Sequence, residues 1–237
     1  MLRSVAGRFP SFSRLLHLWS DARLLSELRP PGLVMRLDMP VIGILRGVAP
    51  DFFGDVMAAS FEAGLQSIEV TFNTVRAEEI IAAYRPRVPE GKLLGMGTIR
   101  NRDEARKAVD AGAMFLVTPN VDGAVIEYAA SRDIPVIVGA MTPTEVYTAW
   151  SAGAAMVKVF PCTVLGPQHI RDLLGPFDSV PLVAVGGVNG SNVNAYFEAG
   201  AAAVGVGTSL FGRKALADRE PQHISHNVRL FLSLIRR

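Results

Sequence analysis

Short apolar runs recur along the chain, each followed by a stretch with helical spacing. The runs occupy residues 41–45, 67–70, 93–97, 114–118, 135–139, 155–160, 182–185 and 203–206. They are continuous rather than alternating, which marks strands buried on both faces, as in a parallel sheet. Helical patterns fill intervals such as 53–63, 102–111, 121–131 and 144–152. Their entries carry helix-start chemistry. Asn101 precedes Arg102 with Glu104 three residues on, close to a capping box, and Pro143 sits where a first-turn proline is tolerated.

A repeated phrase orders these units. Glu62-Ala63-Gly64, Asp110-Ala111-Gly112, Ser151-Ala152-Gly153 and Glu198-Ala199-Gly200 each close a helical stretch before an apolar run. Glycine suits the position just past a helix because it accepts positive φ. The spacings of 48, 41 and 47 residues each hold two strand-helix units, so the phrase marks every second unit. Eight alternating units predict a (β/α)8 barrel. The competing arrangement is a doubly wound open sheet, and the Gly-rich dinucleotide loop that would follow its first strand is missing.

The first 38 residues depart from this pattern. Residues 1–36 carry six arginines and two acids, with Leu15, Leu16, Leu18, Leu24, Leu25 and Leu28 at broken amphipathic spacing before Pro30-Pro31-Gly32. The segment reads as a poorly ordered or transit-like extension, and residues 39–237 as a single barrel domain.

Composition narrows the classes. With 237 residues and 49% hydrophobic positions, the chain can fill a core. No stretch approaches the ~20 apolar residues of a membrane span. The net charge of +2, from 24 basic and 22 acidic residues, argues against nucleic acid as a partner. The single cysteine, Cys162, excludes an internal disulfide and a cysteine-based zinc cage. His169, His223 and His226 lie away from the strand ends, so no metal site is expected.

A barrel places its active site at the C-terminal ends of the strands. Lys158 is the only charge in its strand, within Ala-Met-Val-Lys-Val-Phe. A desolvated lysine loses its proton more readily and becomes a nucleophile towards carbonyls. Its structural alternative is a lysine that reaches solvent or pairs with a carboxylate. Glu69 is likewise the lone charge in Ser-Ile-Glu-Val-Thr, and suits either proton transfer or a salt bridge to Lys158. Arg46, ending the first strand beside Gly47, offers bidentate binding of a carboxylate or phosphate. Gly186-Gly187 and Gly207-Thr208 follow the seventh and eighth strands, where barrels commonly cradle phosphate, although turn chemistry alone also uses such residues. Thr98 and Thr118 can offer hydroxyls to a substrate carboxylate or serve packing.

Taken in order, Ile-Leu-Arg46-Gly, Glu69-Val-Thr, Gly97-Thr98, Val-Thr118-Pro119-Asn120, Lys158-Val-Phe160-Pro161 and Val-Gly186-Gly187-Val resemble the class I aldolases that cleave 2-keto-3-deoxy-6-phospho sugar acids. The resemblance covers about residues 39–212. Leu-Arg46-Gly, Asn73 and the segment Phe160-Pro161 followed by Gly166-Pro167-Gln168 resemble the branch acting on the galactonate epimer. The gluconate branch usually has arginine at the position of Asn73.

The resemblance implies that Lys158 forms an imine at the substrate C2 and that Glu69 moves protons through water. It implies that Arg46 and Thr98 hold the carboxylate, that Phe160 walls the pyruvyl end, and that Thr118, Pro119 and Asn73 belong to the substrate pocket. Gly186, Gly187, Gly207 and Thr208 would hold the 6-phosphate. It further implies a cytoplasmic homotrimer that needs no metal or organic cofactor, with a small phosphorylated keto sugar acid as its partner. The basic N-terminus leaves organellar import open. The gluconate epimer, a phosphate-binding barrel isomerase or synthase, a non-catalytic sugar-phosphate sensor and a metal-dependent aldolase are the alternatives.

Overall fold

The structure, a computed structural model, describes Leu33 and residues 35–236. The amphipathic pattern read over residues 15–28 lies outside the described residues. Eight strands pair in parallel, in chain order, into a closed barrel. They are β1 (Val41–Leu45), β2 (Ser67–Thr71), β3 (Leu93–Gly97), β4 (Leu116–Val117), β5 (Val136–Ala140), β6 (Met156–Val159), β7 (Leu182–Val185) and β8 (Ala203–Val206). Closure is made by β1 against β8, with Val41 opposite Val204 and Gly43 opposite Val206.

Helices wrap the outside: α1 (Phe53–Glu62), α2 (Ala77–Tyr84), α3 (Arg102–Asp110), α4 (Gly123–Ala130), α5 (Pro143–Ser151), α6 (Cys162–Leu174), α7 (Val193–Glu198), α8 (Thr208–Phe211), α9 (Arg213–Ala217) and α10 (Pro221–Ser233). The repeated phrase closes α1, α3, α5 and α7, every second unit. Gly64, Gly112, Gly153 and Gly200 all have φ near +100°. Each phrase makes the same pair of hydrogen bonds. At the first, Gly64 N–H donates to the Phe61 carbonyl and Leu65 N–H to the Ser60 carbonyl. This is the helix-ending motif in which a left-handed residue satisfies the orphan carbonyls, and it turns the chain back into the sheet.

The strands are buried on both faces, and their period of two divides the core into layers. Val41, Leu45, Ile68, Val70, Val157 and Val159 pack outward under the helices. Ile42, Val117, Ile137, Met156 and Val183 fill the barrel interior. Met35 joins that interior cluster and is buried. It lies N-terminal to residue 39, where the barrel domain was expected to begin. The same alternation turns Glu69 and Lys158 inward, because Ile68, Val70, Val157 and Val159 occupy the outward positions.

Strand limits match the sequence expectation at β1, β3, β7 and β8, and differ by one or two residues at β2, β4, β5 and β6. Most shortened is β4, which is regular only at Leu116–Val117. Hydrogen bonds from Met114 N–H to the Leu94 carbonyl (2.9 Å) and from Thr118 N–H to the Ile137 carbonyl (3.0 Å) carry its pairing beyond those two residues. Helix entries match their sequence chemistry. The Asn101 side chain accepts from Glu104 N–H at 2.9 Å, while the Glu104 carboxylate turns to Arg100 N–H instead of completing the box. The complete capping box lies at α5, between Thr142 and Glu145.

Candidate active site

Lys158 on β6 and Glu69 on β2 sit four strands apart and therefore face one another across the barrel. They are 7% and 2% exposed, the most consequential burial of charge in the fold. Among the described residues, neither makes a hydrogen bond or an ion pair within 4 Å, so they interact across a gap. Burial is the main influence on both. It pushes the Lys158 amine below the ordinary lysine range, against the opposing effect of the Glu69 charge, and the nearby Arg46 lowers it further. It raises Glu69 above the usual carboxylate range, while Lys158 and Arg46 pull the other way. An amine biased towards its neutral form and a carboxyl biased towards holding a proton are the two states that nucleophilic attack and proton transfer need.

The strands make room for this pair by omitting side chains around it. A Cβ added at Gly97 would lie 2.5 Å from Glu69 Oε1. One added at Gly205 would lie 2.8 Å from Val185, and one at Gly139 would run into the Pro119 backbone at 2.3 Å. Above the pair opens a cavity of about 440 Å³, at the C-terminal ends of the strands. The volume falls within the usual range for a small-molecule site.

The cavity gathers most of the residues named from the sequence. Lys158, Glu69, Arg46, Thr98, Pro119 and Phe160 line it on one side, and Gly186, Gly187, Gly207 and Thr208 on the other. The Lys158 ammonium nitrogen lies 4.8 Å from the centre of the Phe160 ring. Arg46 reaches Asn73 Oδ1 at 2.8 Å and Thr98 Oγ1 at 3.3 Å. Thr98 has a φ of 60°, an uncommon left-handed conformation for threonine.

Two expected positions do not line the cavity. The Thr118 hydroxyl donates to the Asn120 carbonyl at 2.6 Å and accepts from Gly139 N–H at 3.0 Å. It is fully buried and braces the neighbouring loop, so it offers no hydroxyl to a ligand. Asn73 holds Arg46 and does not line the cavity.

The β7 and β8 loops present backbone donors. Gly186 and Gly187 have φ of 100° and 74°, which turns the chain tightly above β7. The amides of Gly186, Gly187, Val188, Gly207, Thr208 and Ser209 donate to no backbone turn bond. Backbone N–H groups on such turns that have no backbone acceptor can receive an anion. Ser209 and Asn189 also line the cavity and were not singled out from the sequence. Ser209 Oγ donates to the Val188 carbonyl at 2.8 Å and ties the two loops together. Their only sequence signal was proximity to the glycine pairs, which any polar turn residue shares.

The remaining candidates have other partners. His169 Nε2 bonds the Met141 carbonyl at 2.7 Å, and His223 bonds Glu220. Burial pushes the Cys162 thiol up to about 11, so it stays protonated. Among the described residues, no group of three or more His, Cys, Asp or Glu side chains could hold a metal ion, and no helix is long and apolar enough to cross a membrane.

Comparison with known proteins assigns this arrangement to a family. The family model for KDPG and KHG aldolase matches residues 38–227. The 2-dehydro-3-deoxy-6-phosphogalactonate aldolase of Escherichia coli is 32% identical over 194 residues, covering 81% of this chain and 95% of the relative. A probable enzyme of the same name from Rhizobium meliloti is 36% identical over 177 residues, covering 74% and 83%. A solved structure described as native KDPGal superposes with a TM-score of 0.77 at 30% identity, covering 85% of this chain and 98% of that one. A match that runs from the first strand of the barrel into its last helix, with lysine, glutamate and loop glycines gathered at one mouth, makes the chain a member of the KDPG and KHG aldolase family of carbon–carbon lyases.

Proposed function

We propose that the chain is a Schiff-base aldolase that cleaves 2-dehydro-3-deoxy-6-phosphogalactonate to pyruvate and D-glyceraldehyde 3-phosphate. The observation that carries this reading is the inward-facing Lys158 and Glu69, both desolvated, unpaired and open to the same cavity. The two relatives named for that substrate support the choice of epimer.

In this reading the Lys158 amine attacks the C2 ketone, and the protonated Glu69 delivers its proton through water as the carbinolamine hydroxyl departs as water, which leaves a protonated imine and the Glu69 carboxylate. The C3–C4 bond then breaks and its electron pair moves into the imine, which becomes an enamine. The proton of the C4 hydroxyl passes through water to Glu69, and glyceraldehyde 3-phosphate leaves. Glu69 returns the proton to C3, and water hydrolyses the imine to release pyruvate and the free amine, the remaining proton passing back to Glu69. Arg46 and Thr98 engage the C1 carboxylate, and Pro119 and Phe160 wall the pyruvyl end. The free amides of Gly186, Gly187, Gly207 and Thr208 receive the 6-phosphate. The lysine supplies the electron sink, so the cycle as written needs no metal or organic cofactor. Assembly as a homotrimer and a cytoplasmic location belong to the same proposal and rest on the family resemblance.

Pyruvate release measured separately from the galactonate and gluconate epimers tests the substrate. The expected result is a kcat/KM at least about tenfold higher for the galactonate epimer, a ratio that contacts at one hydroxyl can supply. Equal or faster cleavage of the gluconate epimer would overturn the substrate assignment. Lys158→Ala is expected to release no pyruvate from either.

A further inference from the structure

Among the described residues, Arg46 is the charged group of the cavity that makes side-chain hydrogen bonds, and both of its partners are neutral. Its guanidinium donates to the Asn73 amide oxygen at 2.8 Å and to the Thr98 hydroxyl at 3.3 Å. Among the described residues it enters no salt bridge. Asp51, the one carboxylate on the loop from β1 to α1, pairs instead with Arg219 at 2.8 Å. The loop after β2 also grips the backbone next to the arginine. Gly47 N–H donates to Thr74 Oγ1 at 3.0 Å, and the buried Thr74 is itself bonded to Thr71. Two consecutive residues of one loop thus fix Arg46 at both its side chain and its neighbouring amide, and neither lines the cavity.

We propose that Asn73 is a positioning residue, holding the Arg46 guanidinium at the cavity through an uncharged acceptor so that its whole positive charge stays available to the substrate carboxylate and to the Lys158–Glu69 pair. The inference rests on the aldolase reading above and adds the reason for an amide at this position. A carboxylate of the same shape would hold the guanidinium equally well, but would neutralise it and compete with the anionic substrate.

The surroundings of Lys158 make the charge effect readable. Among the described residues, Arg46, Glu69 and Lys158 are the only charged side chains lining the cavity. The neighbouring strands β5 and β7 carry no titratable side chain. On α5, the Glu145 carboxylate is occupied by Met141 and Thr142, and Tyr147 is exposed. On α6, Cys162 stays protonated and His169 bonds Met141. The Arg46 charge disfavours the Lys158 ammonium and favours the Glu69 carboxylate. Neutralising it therefore moves both titrations to higher pH.

The test compares wild type, Asn73→Asp and Asn73→Ala. The readouts are steady-state cleavage of 2-dehydro-3-deoxy-6-phosphogalactonate and the pH dependence of pyruvate trapping by borohydride. Asn73 is exposed, so both substitutions sit at the surface of the fold. Asn73→Asp is expected to raise KM about tenfold, the scale of one lost charge-assisted contact. It is also expected to move the acid limb of trapping to higher pH. Asn73→Ala is expected to raise KM through a less fixed Arg46 while leaving the acid limb where it is in wild type. A wild-type KM in Asn73→Asp, or an acid limb that Asn73→Ala moves as far as Asn73→Asp does, would overturn the proposal. Failure of the wild-type enzyme itself to trap pyruvate would instead count against the aldolase reading.

Discussion

Lys158 and Glu69 were legible as residues because each is the single charge in an otherwise apolar strand. Burying an ionisable group in such a strand is costly, and two such groups on one barrel imply a reason to keep them. Thr118 was not legible in the same way. Its hydroxyl could face a ligand or the backbone, and only the approach of Gly139 N–H and the Asn120 carbonyl decides between them. The role of Asn73 was equally hidden, since its partner Arg46 lies 27 positions away.

The electrostatics of the pair give a prediction at this scale. The Glu69 charge is the influence that favours the Lys158 ammonium, against burial and Arg46. Over the range where Glu69 is ionised, Glu69→Gln therefore lowers the Lys158 titration further, and pyruvate trapping should persist to lower pH than in wild type. Cleavage by the same variant should fall by about 10²–10⁴-fold, the usual worth of a positioned proton-transfer group. An unchanged rate in a pH-rate profile would remove Glu69 from proton transfer.

At the scale of elements, the apolar runs found all eight strands, and the Ala-Gly phrases found the ends of four helices. The physical reason is that a buried parallel strand and a left-handed helix terminus each demand a narrow set of residues. Boundaries were less legible because regular pairing depends on the neighbouring strand, as the two-residue β4 illustrates. The two helix-start signals were also unequal in outcome. Asn101 and Glu104 had the spacing of a box, yet Arg100 draws the glutamate away. Thr142 and Glu145 complete one, with the Glu145 carboxylate accepting from Thr142 N–H at 2.8 Å and from Met141 N–H at 2.9 Å. Thr142→Ala is expected to destabilise the protein by about 1 kcal/mol. Urea unfolding should show a lower midpoint with an unchanged slope. Because the box lies outside the cavity lining, kcat should remain at the wild-type value.

For the whole molecule, closure of the sheet turns two distant strands into one site. Glu69 and Lys158 are 89 positions apart in the sequence. They share a cavity because β1 pairs with β8 to close the barrel, and both side chains line the cavity at the C-terminal ends of the strands. Eight strand-helix units made that architecture readable in advance. The room around the pair was not readable, because it depends on the glycines at positions 97, 139 and 205 standing where side chains would otherwise fill the barrel. The measurement that tests this account most directly is mass spectrometry of the folded wild-type protein after incubation with pyruvate and borohydride. The account predicts irreversible addition of one reduced pyruvate unit, mapped to Lys158 and absent from Lys158→Ala. Efficient aldol cleavage with no adduct at Lys158, or with the adduct on another lysine, would contradict it.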